Sequence, residues 1–291
     1  MAHRDGAIEE LVLADGPIEL TVLPGVGARL HRLRVFGRDL IRTPAEPSVH
    51  IRDPFFWGSY VMAPWCNRLS ADRVDVGSRR VELGSNFPDG TAIHGQVYAR
   101  PWEHDGHGEL WIRGGGDGWP WQYEVRQRIA VTPRTIGLAL SLTNRSDDPM
   151  PAGIGIHPWF MRPIQVGIHA GSVFPTNLDS QPIPDPVHGP FDRREIGEMA
   201  DGLDASWADL ADPPVELVWP DAGIRATMRM SAPTGYIVAA NPPGVDAIAV
   251  EPETHAPQGL RRLLGHEPGG LTLLEPGHAL NLDVELAFDR L

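Results

Sequence analysis

The chain has 291 residues, of which 42% are hydrophobic and 22% charged, enough apolar material for a sizeable core and too much for a disordered chain. Its net charge is −13, and all 25 basic residues are arginine. This argues against nucleic acid or an acidic membrane as a partner, because phosphate binding needs clustered basic residues. The lack of lysine also excludes Schiff-base chemistry and a phosphate-binding P-loop.

One cysteine, Cys66, leaves no intrachain disulfide and fits a reducing compartment. The start "MAHRDGAIEEL" has no signal-peptide apolar run, and no stretch approaches the ~18–20 apolar residues of a membrane span. The expectation is a cytoplasmic protein with no membrane partner, a monomer or homodimer.

In chain order, alternation of period two dominates. "IELTVL" (18–23), "YEVRQRIAV" (123–131), "TIGLALSLTN" (135–144) and "IRATMRM" (224–230) each alternate apolar and polar residues. The last segment, "ALNLDVELAF", is the clearest. Leu280, Leu282, Val284, Leu286 and Phe288 share one face, while Asn281, Asp283 and Glu285 share the other. Turn clusters separate these segments: "GGGDG" at 114–118, "RSDDPMP" at 145–151, "NPPG" at 241–244 and "EPGH" at 275–278.

The Pro-rich stretch at about 175–214 reads as a long functional loop, with a turn or two of helix within 191–211. No repeat or linker is visible. The pattern predicts one all-β domain over 1–291, a large antiparallel β-sandwich of two sheets.

Three segments end a strand in a titratable group. In "IGIHPWF", Gly153, Gly155 and His157 oppose Ile154 and Ile156. In "IAVEP", Ala247, Ala249 and Glu251 oppose Ile248 and Val250. In "TAIHG", Ala92 and His94 oppose Ile93. Small residues leave room above a sheet, and the titratable groups would project into it. Two histidines and a carboxylate there suit general acid–base chemistry on a small polar ligand. Gly and Ala on a strand face also occur where another element packs close, and that reading stays open beside the first.

Glu253 lies beyond Pro252, where register is not assured, and reads as a rim residue or loop anchor. Pro252 itself keeps Glu251 extended. "HDGHG" (His104, His107) reads as a surface turn, and no metal site or cofactor is expected. No Gly-x-Ser-x-Gly elbow occurs.

"PWCNRLS", "TAIHGQVYARPWE", "GIGIHPWF", "AIAVEPETHAP" and the terminal "LLEPGHALNLDVELAF" together resemble the aldose 1-epimerase (galactose mutarotase) family, in its divergent bacterial branch. The resemblance runs in order from "LPGVGARLHRLRVFG" to the last strand. It implies a supersandwich of two twisted sheets, a monosaccharide substrate and no cofactor. It further implies Glu251 as general base on the anomeric hydroxyl, His157 as general acid to the ring oxygen and His94 beside that oxygen. Arg68 and Asn67 of "NR", Trp159 of "HPWF" and, by a looser match, Asp204 of "DGLDASW" would bind the sugar.

A carboxylate nearby would stabilise His157 as the cation, so it is expected to be protonated at rest. The usual "E-T-Q" is here Glu251-Pro252-Glu253-Thr254, which puts the sugar in doubt more than the chemistry. Three alternatives stand beside the mutarotase. One is a non-catalytic carbohydrate-binding protein on the same fold. Another is a glycoside hydrolase or lyase pairing Glu251 with Glu253 or Asp204, although two histidines are not what that chemistry asks for. The third is an epimerase for an anionic sugar (phosphorylated or sulfonated), with Arg73, Arg100 or Arg162 as the clamp.

Overall fold

The computed structural model describes residues 8–70, 72–176, 182–231 and 235–291. Nearly every strand pairing is antiparallel, and the pairings form one continuous, doubled-over sheet. Its first limb runs from Leu11–Asp15 through Ile18–Leu23, Arg29–Val35, Ser59–Met62, Gly155–Met161 and Ala247–Glu253 to Tyr236–Ala240. Its second limb runs from Ile224–Met230 through Ala279–Arg290, Thr135–Asn144 and Trp119–Val131 to Glu109–Gly116.

The limbs are joined by one 16-residue strand, Asp204–Trp219. Its start, Asp204 to Trp207, pairs with Tyr236–Ala240, and its end, Val215 to Trp219, pairs with Ile224–Met230. Gln165–Phe174 runs along the whole joining strand, with a bulge between Ile168 and Ala170. Side chains from both limbs, among them Ile156, Ile248 and Val250 with Leu138, Leu282 and Val284, meet in one apolar core. This is the β-sandwich that the alternation predicts.

On the second limb alternation and burial coincide. Leu282, Val284, Leu286 and Phe288 are buried while Asn281, Asp283 and Glu285 are exposed. Each such side chain contributes about 1.5–3 kcal/mol relative to exposure. Ala247–Glu253 behaves differently, because all seven residues are buried. This inner strand is covered on both faces, by the core on one side and by the loops around the cleft on the other.

Two expectations are corrected. The supposed loop at 175–214 holds the short strand Asp185–Pro186, a single 3-10 turn Gly189–Phe191 and the start of the joining strand; residues 177–181 lie outside the described set. No α-helix forms over 191–211. Among the described residues the α-helices are Val49–Arg52 and Gly259–Leu264. The run from Asp204 is extended because it has two strand neighbours, a pairing that local sequence does not record.

Candidate active site

His157 and Glu251 reach one cleft from neighbouring strands. Gly155–Met161 pairs with both Ser59–Met62 and Ala247–Glu253, so His157 lies opposite Tyr60 on one side and beside Glu251 on the other. His157 Nε2 is 3.3 Å from Glu251 Oε1. The Tyr60 ring stacks on the His157 ring at 4.7 Å and 25°, which fixes the imidazole plane.

Beneath Tyr60 lies the buried Arg29 guanidinium, 4.4 Å from the ring centre. It donates to the carbonyl oxygens of Trp57, Pro54 and Tyr98.

His94 arrives differently from the sequence reading. The strand Ala92–Ile93 is two residues long, and His94 itself sits at φ 63°, so a turn rather than strand alternation aims it. Its N–H donates to the Asn67 carbonyl, and Arg68 and Leu69 pair with Ile93 and Ala92. Gly95 completes the turn at φ 74°, where a Cβ would stand 2.0 Å from the Ala63 oxygen. Only glycine fits there. The result places His94 edge-on to His157, with ring centres 4.9 Å apart. One nitrogen or oxygen from each of His94, His157 and Glu251 lies within 4.8 Å of the others. That spacing would admit a cation, and the direct contact of His157 with Glu251 also has the donor–acceptor geometry that proton transfer needs.

The cleft holds about 190 Å3 and is walled by Phe55, Phe56, Phe87, Trp159 and Pro242. That is smaller than the roughly 300–1,000 Å3 of drug-sized pockets, a scale that suits a small ligand. Trp159, Asn67, Arg68 and Asp204 all line it, so the structure brings together every residue singled out for the site. Asn67, at φ 51°, accepts its neighbour's N–H through Oδ1, so part of its side chain shapes the turn. Arg68 Nε donates to Asp89 at 2.8 Å, and Nη1 lies 3.9 Å from Asp204 Oδ2.

The three arginines suggested as an anion clamp are elsewhere. Arg73 pairs with Glu82, Arg100 reaches the Arg113 carbonyl, and Arg162 pairs with Asp201 and Asn241.

The small residues before His157 do not leave open space. A Cβ on Gly153 would meet His255, and one on Gly155 would meet Cys66 Sγ and the Pro252 oxygen. The close-packing reading of these glycines is the right one. The buried His255 accepts the Cys66 N–H at Nε2 (2.9 Å) and sets its Nδ1 against the Ala256 oxygen. It thereby ties the end of the Ala247–Glu253 strand to the loop carrying Asn67 and Arg68. The Thr254 hydroxyl accepts the Ile154 N–H and ties the same stretch to the start of the Gly155–Met161 strand. Glu253 is also not at the rim. It lies in the strand, fully buried at 0% exposure.

Electrostatics reverse one further expectation. Burial holds the His157 imidazole down to about 3, helped by the charges of Arg29 and Arg68. Burial first, then Glu253 and Asp204, pushes the Glu251 carboxyl well up. The proton between them therefore rests on Glu251, and His157 is neutral. His94 is likewise held neutral by burial and by His157.

The aromatic lining from Phe55, Phe56, Tyr60 and Phe87, together with Glu253 and His255, was missed in the sequence. The cluster "DPFFWGSY" was the available signal for the first of these.

The fold agrees with the comparisons. A sequence model of the aldose 1-epimerase family matches residues 11–287, and the chain belongs to that family. It is 25% identical over 258 residues to the uncharacterized protein YphB of Escherichia coli K12, covering 78% of this chain and 82% of that one. Its fold is similar to a galactose mutarotase-like protein from Clostridium acetobutylicum (TM-score 0.81, 16% identity, 96% of this chain and 95% of that one). It is similar also to a GalM/aldose epimerase homologue from C. elegans (TM-score 0.81, 16% identity, 97% of this chain and 99% of that one).

Proposed function

We propose that the protein is a mutarotase that interconverts the α and β anomers of a neutral hexose. The observation that carries this is the 3.3 Å contact between Glu251 Oε1 and His157 Nε2 in a cleft of about 190 Å3. Ring opening removes the proton of the C1 hydroxyl, breaks the bond from C1 to the ring oxygen and adds a proton to that oxygen. Glu251 takes the first proton and His157 gives the second. Rotation about C1–C2 turns the other carbonyl face to the oxygen, and the pair then acts in reverse to close the ring.

The resting form with the proton on Glu251 and the working form with it on His157 differ only by transfer across that contact. A bound sugar brings a hydroxyl donor to the carboxylate and an ether acceptor to the imidazolium, and so favours the working form. Positioned acid–base groups supply roughly 10²–10⁴-fold each, and spontaneous mutarotation is already measurable in water.

A neutral sugar is favoured because Arg68, the cation of the cleft, already faces Asp89 and Asp204. Glu251 adds a third acidic side chain. Polarimetry of α-glucose and α-galactose tests the reading, with the 6-phosphates as comparison. Wild type should beat the spontaneous rate on the neutral sugars, and Glu251→Gln should lose at least about 100-fold of that excess. Equal rates for wild type and Glu251→Gln, with sugar binding intact, would leave a carbohydrate-binding protein instead.

A further inference from the structure

Glu253 is absent from the mechanism above, yet it is the most deeply placed carboxyl beside the site. It is fully buried and follows Glu251 by two residues on the same strand face. Neither of its oxygens has a hydrogen-bond donor among the described residues, and Glu251 Oε2 has none either. The two carboxyls are nonetheless within hydrogen-bonding reach of each other. Three buried acceptor atoms without donors are a costly arrangement, and an ionised, unpaired carboxylate costs far more. A single proton on Glu253, donated to Glu251 Oε2, satisfies two of these three atoms and leaves no ionised carboxylate at Glu253.

The groups that face Glu253 from other elements leave no better solution. Asp204 is acidic, Arg68 is held by Asp89 and Asp204, and Cys66 and Tyr236 are buried and neutral. His157 already faces the other oxygen of Glu251. With Glu253 protonated, the working pair of Glu251 carboxylate and His157 imidazolium is neutral as a cluster, as burial demands.

We propose that Glu253 is a positioning residue for the base: it keeps its proton throughout the cycle and donates it to Glu251 Oε2, which sets the pH at which the cluster loses its one mobile proton. Burial first, then Asp204, pushes the Glu253 carboxyl well up, as a retained proton requires; the contact with Glu251 acts against this and is outweighed. The inference rests on the mutarotase reading for its kinetic consequence, though not for the proton itself.

The test is the alkaline limb of the pH–rate profile, read as enzymatic excess over spontaneous mutarotation, in wild type, Glu253→Gln and Glu253→Met. Glutamine keeps a neutral donor to Oε2, so its limb should stay within about half a pH unit of wild type, whatever the height of the plateau. Methionine removes the donor and destabilises the Glu251 carboxylate, so its limb should move up by about one unit or more. Were Glu253 ionised in the wild type, both variants would delete a negative charge, and both limbs would move down. That outcome, or an unmoved limb in Glu253→Met, overturns the proposal. A purely structural role would lower the plateau or the melting temperature and leave the limb in place.

Infrared difference spectroscopy separates this from the functional reading. The C=O stretch of a protonated carboxylic acid should be present in wild type at pH 7 and weaker in Glu253→Gln. Its equal strength in both overturns the proposal even if the protein proves inactive on every sugar.

Discussion

Gly153→Ala adds one methyl group at a position with no room for it. The new Cβ would stand 2.3 Å from His255 Cδ2, 2.7 Å from its Nε2 and 2.9 Å from Leu271 Cδ2. His255 cannot retreat, because Gly259 closes the other side of the ring: a Cβ there would lie 2.5 Å from Nδ1. Overpacking of this kind costs about 1–3 kcal/mol. Displacing His255 also orphans the buried Cys66 N–H, for about 1–3 kcal/mol more. The sum is about 2–6 kcal/mol, or roughly 4–12 °C in Tm at about 2 °C per kcal/mol for a chain of this size.

The same displacement releases the loop carrying Asn67 and Arg68, so the KM for sugar should rise more than kcat falls. Thermal melts and polarimetry on the single variant check both effects. The double variant Gly153→Ala/His255→Ala checks the cause, since it should cost no more than His255→Ala alone. A Tm for Gly153→Ala within about 1 °C of wild type would refute the packing argument, and additive costs in the double variant would refute the role of His255.

Two further outcomes follow from the same geometry. His255 is held down to about 4 by burial, whereas in the unfolded chain it titrates near 6.5. Below 6.5 the unfolded chain binds a proton that the fold refuses, so stability is lost as pH falls from 6.5 towards 4, by up to about 1.4 kcal/mol per unit. Glu251 and Glu253, pushed up, act in the opposite sense above their unfolded value of 4.5. The comparison with His255→Asn therefore isolates the histidine, and denaturant melts at pH 4.5 and 7 should show a smaller pH difference in that variant. Asp89→Ala frees the Arg68 Nε that Asp89 holds at 2.8 Å. It should raise KM several-fold, about 1 kcal/mol for one exposed charge-assisted contact, with kcat within about twofold; a large fall in kcat instead would place Arg68 in the chemistry.

The three titratable residues of the site were legible in the sequence, but for only two of them was the reasoning sound. Glu251 and His157 follow strand alternation, because both lie in paired strands where side chains point alternately. His94 also reaches the site, by a left-handed turn that alternation does not describe. The glycines ahead of His157 were legible as small residues. Whether smallness meant open space or a tight neighbour depended on Cys66 and His255, one from the first quarter of the chain and one from its last eighth. Glu253 was misplaced because proline normally ends local regularity. Here the strands on either side, pairing through Gly155 and Tyr236, hold the chain extended past Pro252.

By itself, the sequence determined the all-β architecture, since alternating apolar residues can bury one face only as strands. It also determined which residue types were available for proton transfer. The tertiary structure decided their state. Desolvation and the proximity of Arg29, Arg68 and Asp204 are sums over residues far apart in the chain. They place the resting proton on Glu251 rather than on His157, and no local pattern encodes such a sum.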